Sequence, residues 1–247
     1  VAWQGLARIG FEKAGIAKRG VPLVTQSYPA DAARAVAQTA AAARAELFMR
    51  GQAWRAEVPG EALHYADCFG PLELPLPAMP GAHQADNAAL AVAMLRHQDK
   101  VPVGREAMAS GIVSAHWPAR MQRLGPGPLA DLAGAREVWL DGGHNPDAGA
   151  ALARHFAGRK VHLVLGMLAN KDAGALTGPL AGSQLSLSVV PVPGHDAHAA
   201  QAFAAARACG DVPSALVLLP DDGAPVLIAG SLYLAGEVLR LNREWPV

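Results

Sequence analysis

Val138-Trp139-Leu140-Asp141-Gly142-Gly143-His144-Asn145-Pro146-Asp147, followed by Ala-Gly-Ala-Ala-Leu-Ala-Arg-His-Phe, reads as a short buried strand, a glycine-rich turn carrying an acid and a histidine, and a helix. The helix start is well marked. Asn145 can cap the free amides, Pro146 suits the first helical position, and Asp147 complements the positive end of the dipole. Asp141 and His144 are therefore expected at the carboxyl end of a strand beside a helix N-terminus. In open α/β sheets ligands bind there, and glycines beside a helix N-terminus favour a phosphate or carboxylate. Taken alone, D-G-G-H fits equally a pair of side chains that tie down a tight turn.

Working outward, apolar strands are predicted at 136–140, 161–166, 185–190, 215–219 and 225–229, alternating with helices near 145–157, 172–181, 197–208 and 231–242. That alternation signals a mainly parallel sheet covered on both faces. Polar and glycine residues cluster after the strands, at 141–145, 166–172, 194–198 and 230–233, so these loops share one sheet edge. Residues 116–128, with three prolines and two glycines, form the linker and set a domain boundary between 117 and 118. Upstream, residues 3–18 read as a helix breaking at Gly15, 21–25 as a short strand and 30–48 as an alanine-rich helix. Residues 52–77 read as an antiparallel extension at a sheet edge, and 84–97 and 104–114 as two more helices.

With 51% hydrophobic and 17% charged residues in 247, the chain can bury a sizeable core. Twenty-one basic residues balance 21 acidic ones with no basic run, which argues against a nucleic-acid or anionic-membrane partner and for small-molecule chemistry. Cys68 and Cys209 form no C-x-x-C pair, so a disulfide scaffold or zinc site is disfavoured and a reducing compartment expected. The apolar stretch from Ala224 to Leu241 is too interrupted to span a bilayer. The chain begins with Val and reads as cut from a longer one.

Six motifs then carry a family resemblance. Phe11-Glu12-Lys13-Ala14-Gly15-Ile16 with Lys18-Arg19-Gly20-Val21-Pro22 resembles the E-K-A-G-I-x-K-x-G-x-P segment of the folylpolyglutamate synthases and bifunctional dihydrofolate synthases, in the Mur ligase superfamily. In order, Gly81-Ala82-His83-Gln84 with Asn87-Ala88 resembles G-x-H-Q-x-x-N-A, and Pro118-Ala119-Arg120-Met121-Gln122 resembles P-G-R-[FM]-Q. Leu140 to Pro146 resembles D-x-A-H-N-P, Gly166 to Asp172 resembles G-x-x-x-x-K-D, and Gly230 to Val238 resembles G-S-L-Y-L-x-G-E-V.

The resemblance implies an α/β chain in which a partial Mur-ligase central ATPase domain, 1–117, precedes a Rossmann-like C-terminal domain with a mainly parallel sheet, 118–247. It implies a monomeric cytoplasmic ligase that uses ATP and Mg2+ to join L-glutamate to folate or dihydropteroate through an acyl phosphate. Lys13 matches a lysine carbamylated to organise magnesium, the other metal ligands lying upstream. Asn87, Arg120 and Asp141 match ATP contacts, Asp141 on the ribose. His144, Ser231 and Tyr233 match positions seating glutamate, with His144 also catalytic. On this reading, removing the Asp141 carboxylate weakens nucleotide binding without unfolding the protein. Gly143 and Ala119 depart from the family's Ala and Gly. No G-x-x-x-x-G-K-[ST] occurs in these residues, so the chain alone is expected to be inactive. Another Mur-superfamily amide ligase, or a non-catalytic nucleotide-binding module on the same fold, is the alternative.

Overall fold

The computed structural model describes residues 2–244. By internal contact the chain divides into two compact units between His116 and Trp117.

In the first unit, α1 (Ala2–Ala14) leads to β1 (Leu23–Thr25), and α2 (Ala30–Ala43) leads to β2 (Leu47–Met49), which pairs parallel with β1. Alanine density favours helix through residue 48, but α2 stops where Arg44 turns left-handed at φ 56°. Ladder bonds to β1 claim the residues beyond. Next, β3 (Trp54–Glu57), β4 (Ala62–Asp67) and β5 (Gly70–Pro75) form an antiparallel sheet of their own rather than an extension of the β1–β2 pair. Trp54, Leu63, Tyr65 and Leu74 pack that sheet against α3 (Ala82–Arg96) and α4 (Arg105–Ser114).

A buried ionic cluster fastens the sheet to the end of α3. The Asp67 side chain is fully buried and accepts from Arg96 Nε at 2.8 Å and Nη2 at 2.7 Å, from the Tyr65 hydroxyl at 2.9 Å and from the Phe69 amide at 2.9 Å. Burial alone would push the Asp67 carboxyl up, but the bonds from Arg96, Phe69 and Tyr65 outweigh it and hold it below the usual carboxylate range. Beside it, His97 stacks on Phe48 with ring centroids 4.2 Å apart. Its Nε2 lies 3.5 Å from Asp67 without a hydrogen bond, and burial pushes its basicity down.

The second unit is a six-stranded sheet in the order β10-β9-β8-β11-β7-β6. In chain order the elements are β6 (Gln122–Arg123), α5 (Pro128–Ala133), β7 (Val138–Asp141), α6 (Pro146–His155), β8 (Val161–Leu165), α7 (Gly174–Leu180) and β9 (Gln184–Val189). A single 3-10 turn, β10 (Ala206–Ala208), α8 (Val212–Val217), β11 (Val226–Ala229) and α9 (Leu232–Leu241) complete it. Every pairing is parallel except β6 with β7. The sheet is covered on both faces, as the apolar strands require. Val138, Leu140, Val226 and Ile228 face α5, α8 and α9, whereas Leu163, Leu165, Leu227 and Ala229 face α6 and α7.

Three expectations are corrected. Residues 215–219 are not a strand. The Asp211 side chain accepts from Ser214 N at 2.8 Å while Ser214 Oγ accepts from Asp211 N, a capping box that starts α8. Residues 197–208 are not a helix, because the edge register of β9 captures Ala206–Ala208 as β10. Nor are residues 116–128 a free linker. Glu244 accepts from Gln122 Nε2 at 2.6 Å and from Gly125 N at 3.1 Å, and Asn242 Oδ1 accepts from Leu129 N at 3.1 Å. These bonds pin the segment to the residues after α9.

Asp67→Asn is expected to lower the stability of the first unit by about 3–5 kcal/mol at pH 7, the scale for breaking a buried ion pair. A depressed carboxyl stabilises the fold above its ordinary value near 4, and that contribution fades as pH falls towards the folded value. Urea titrations should therefore show the gap between wild type and variant narrowing from pH 7 to pH 3. An unchanged gap would mean that the Asp67 charge is not what the cluster depends on.

Candidate functional site

In the second unit β7 and β11 are parallel neighbours whose exits diverge. The chain leaves β7 into α6, whose Leu152 and Phe156 share a core cluster with Leu176 and Leu180 of α7. It leaves β11 into α9, whose Leu234 and Val238 join Leu129 and Leu216 on the opposite face. Diverging connections at the carboxyl ends of adjacent strands open a crevice, the usual ligand position in such sheets. Asp141 to His144 stand on one side of it and Gly230 to Tyr233 on the other. Gly230 has φ 113° and a Cβ there would lie 2.8 Å from the Gly166 carbonyl oxygen, so only glycine fits the exit from β11.

Asp141 is 7% exposed and has two internal partners. Oδ1 accepts from Gly143 N at 2.7 Å and Oδ2 from Met121 N at 2.9 Å. It thus ties the turn after β7 to the segment before β6, and Gly142 N adds a bond to Ala119 O at 2.9 Å. Arg120 is held between these bonds and has no hydrogen-bond or ion-pair partner among the described residues. Its neighbours Ala119 and Met121 are left-handed, with φ 56° and 46°. Ala119 occupies the position where the family motif has glycine, so its methyl costs about 1 kcal/mol of backbone strain.

His144 Nδ1 lies 3.1 Å from Gly142 O. A carbonyl only accepts, so Nδ1 carries a proton, and in the neutral form of the ring the lone pair lies on Nε2. Asn145 caps α6 by accepting from Ala148 N at 2.8 Å. Ser231 is buried and caps α9, its Oγ accepting from Tyr233 N at 3.0 Å. Its hydroxyl hydrogen stays available. Tyr233 is 55% exposed and is therefore not core packing.

Lys13 and Asn87 belong to the first unit. Lys13 is exposed in the last turn of α1, and Glu12 pairs with Arg8 at 3.2 Å rather than with it. Asn87 is the sixth residue of α3 and so does not cap it; its Nδ2 donates to Gln84 Oε1 at 3.1 Å. The Gln84 and Asn87 side chains line a mostly apolar cavity of about 260 Å³ between α3 and α4. One residue away, Asp86 meets Arg50 at 2.5 Å and its carbonyl accepts from Gln26 at 2.7 Å, beyond the carboxyl ends of β1 and β2. Among the described residues no group of three His, Cys, Asp or Glu side chains could hold a metal ion. No helix among them is long and apolar enough to cross a membrane.

The structure thus brings Arg120, Asp141, His144, Ser231 and Tyr233 to one sheet edge. The sequence left His195 without a role. His195 follows β9 in the same loop class as His144, and that placement was the available signal.

The two amides on Asp141 revise the expectation that its removal spares folding. Asp141→Ala leaves Met121 N and Gly143 N buried without acceptors, and should lower the stability of the second unit by about 2–4 kcal/mol. Thermal melts of the variant would check this. An unchanged melt would show that the two amides find water instead.

No family model matches the chain. Folylpolyglutamate synthase of Lacticaseibacillus casei is 29% identical over 94% of this chain and 56% of its own length. The bifunctional folylpolyglutamate synthase/dihydrofolate synthase of Yersinia pestis complexed with AMPPNP and manganese superposes with a TM-score of 0.75 at 27% identity, covering 95% of this chain and 56% of that one. A bifunctional enzyme structure with manganese, AMPPNP and L-glutamate bound gives 0.77 at 28%, with the same coverage. The chain spans about half the length of these proteins. In sequence and in fold it is a relative of the folylpolyglutamate synthases and bifunctional folylpolyglutamate synthase/dihydrofolate synthases.

Proposed function

We propose that this chain is part of an ATP-dependent ligase that adds L-glutamate to a folate, and to dihydropteroate where the enzyme is bifunctional. The observation that carries the reading is the crevice between β7 and β11. Its two rims are the D-G-G-H-N-P and G-S-L-Y-L segments, the relatives' motifs in the relatives' order, on a fold shared with enzymes holding a nucleotide and glutamate. We read residues 1–117 as the later part of the central ATPase domain and 118–247 as the Rossmann-like C-terminal domain.

In this reading the γ-phosphoryl group passes to the folate carboxylate, and the glutamate amine then displaces phosphate to form the amide. Each Asp141 oxygen spends one lone pair on a backbone amide and keeps another for a ribose hydroxyl. Arg120 offers a planar fork of donors to phosphate oxygens, which a point charge would orient less well. In the first unit Asn87 is the nucleotide contact that the family resemblance implies. His144 Nε2, left bare by the bond at Nδ1, takes the proton that the amine sheds as it attacks. The Ser231 hydroxyl and Tyr233 bracket the same substrate. Magnesium would neutralise charge on the phosphates when bound, and Lys13 as a carbamate is the ligand these residues can offer it.

Full-length protein should incorporate labelled L-glutamate only with ATP, magnesium and a folate or dihydropteroate acceptor. The 247 residues alone, lacking a phosphate-binding loop, should give no turnover. Lys13→Ala should lose most activity and regain part of it with added short carboxylates, whereas Lys13→Arg, still cationic, should not respond. Wild-type rates in Lys13→Ala would place Lys13 outside the metal site, and absence of incorporation by the full-length protein would end the reading.

A further inference from the structure

The loop after β9 contains a histidine whose place is strongly determined and whose ring does no internal hydrogen bonding. His195 closes a tight turn, its amide donating to Val192 O at 3.1 Å, and Val192 is buried. The next residues are laced to the loop after β8. Ala169 N donates to Asp196 O at 3.0 Å, His198 N to Met167 O at 2.9 Å, and His198 Nε2 lies 2.8 Å from Lys171 O. His198 is thereby fixed as a structural residue. His195 is exposed, and its ring nitrogens have no hydrogen-bond partner among the described residues. Its ring packs on Tyr233, with centroids 3.7 Å apart at 33°.

We propose that His195 is a specificity-determining residue for the amine substrate, offering a ring N–H to the distal carboxylate of the incoming glutamate. This rests on the reading above, in which His144, Ser231 and Tyr233 seat that amino acid. The stack on Tyr233 carries His195 from the loop of β9 across β8 to the start of α9, which follows β11. His144 follows β7, the neighbour of β11 on the other side. Adjacent strands are about 4.8 Å apart. An amino acid seated between these two rims can present its amine to His144 and its distal carboxylate to His195. Aspartate carries that carboxylate one bond closer to its amine. Tyr233 works with His195 as a platform, holding the imidazole in one orientation so that little rotamer entropy is lost on binding.

Steady-state kinetics on the full-length protein test this. His195→Ala should raise KM for L-glutamate about tenfold, the scale of one charge-assisted hydrogen bond, with kcat, KM for ATP and KM for the folate unchanged. It should also narrow the preference for glutamate over aspartate. His195→Gln, which keeps an N–H donor, should recover part of the loss, and His195→Ala combined with Tyr233→Ala should be no worse than Tyr233→Ala alone. An unchanged glutamate KM, a loss confined to kcat, or a rise confined to the folate KM would overturn the proposal. Histidine-labelled NMR spectra of the full-length protein, with His195 assigned from His195→Ala, separate the two readings. A glutamate-dependent His195 shift in a protein that ligates nothing keeps this site and ends the ligase reading. No shift in an active ligase ends this proposal alone, and neither shift nor turnover ends both.

Discussion

The carboxylate of Asp141 bonds the turn after β7 to the segment before β6, at the end of the ladder that pairs those two strands. One oxygen takes the amide two residues ahead, at Gly143, and the other takes the amide of Met121, twenty residues behind. A carboxylate that accepts backbone N–H groups in a buried setting forms stronger bonds than a neutral acceptor, and leaving those amides unpaired is costly. The turn that carries His144 and the strained segment that carries Arg120 are therefore fixed by the same side chain. Function and structure are not competing readings of Asp141, because each oxygen has a second lone pair.

Much of this was legible in the residues around Asp141. Asn145 and Pro146 marked the start of α6, and β7, β8 and β11 were apparent as apolar runs short enough to be buried strands. The failures share a physical cause. Ala206–Ala208 has helical propensity, yet β9 offered an unpaired edge, and ladder hydrogen bonds outweigh a few tenths of a kcal/mol of alanine preference. The run Ala215–Leu219 is as apolar as a strand, but the bonds between Asp211 and Ser214 commit it to a helix before its hydrophobicity matters. Glu244, Asn242 and the Asp67 cluster depend on partners more than twenty residues away, and no local pattern reports such partners.

The site residues divide by the same logic. Asp141, His144 and Ser231 each also satisfy a backbone group nearby, so their local sequence carries a turn or cap signal besides any ligand role. Arg120 and His195 have no such local duty. Their positions follow from topology, His195 from the strand it trails and Arg120 from the bonds that tie its neighbours to the turn after β7, and topology is visible only once β11 is known to lie between β7 and β8.

That position of β11 also bears on how the polypeptide comes to be assembled. During synthesis both β7 and β8 emerge well ahead of the strand that must separate them, with β9, β10 and α8 in between. Until residues 226–229 arrive, the two strands face an open slot lined by Leu140, Leu163 and Leu165, a site into which a strand from another chain could pair. Closing it joins contacts of long sequence separation, which is slow compared with helix formation. The same event brings Ser231 and Tyr233 opposite His144. Nascent chains of this unit therefore expose an unpaired slot just before they acquire the crevice.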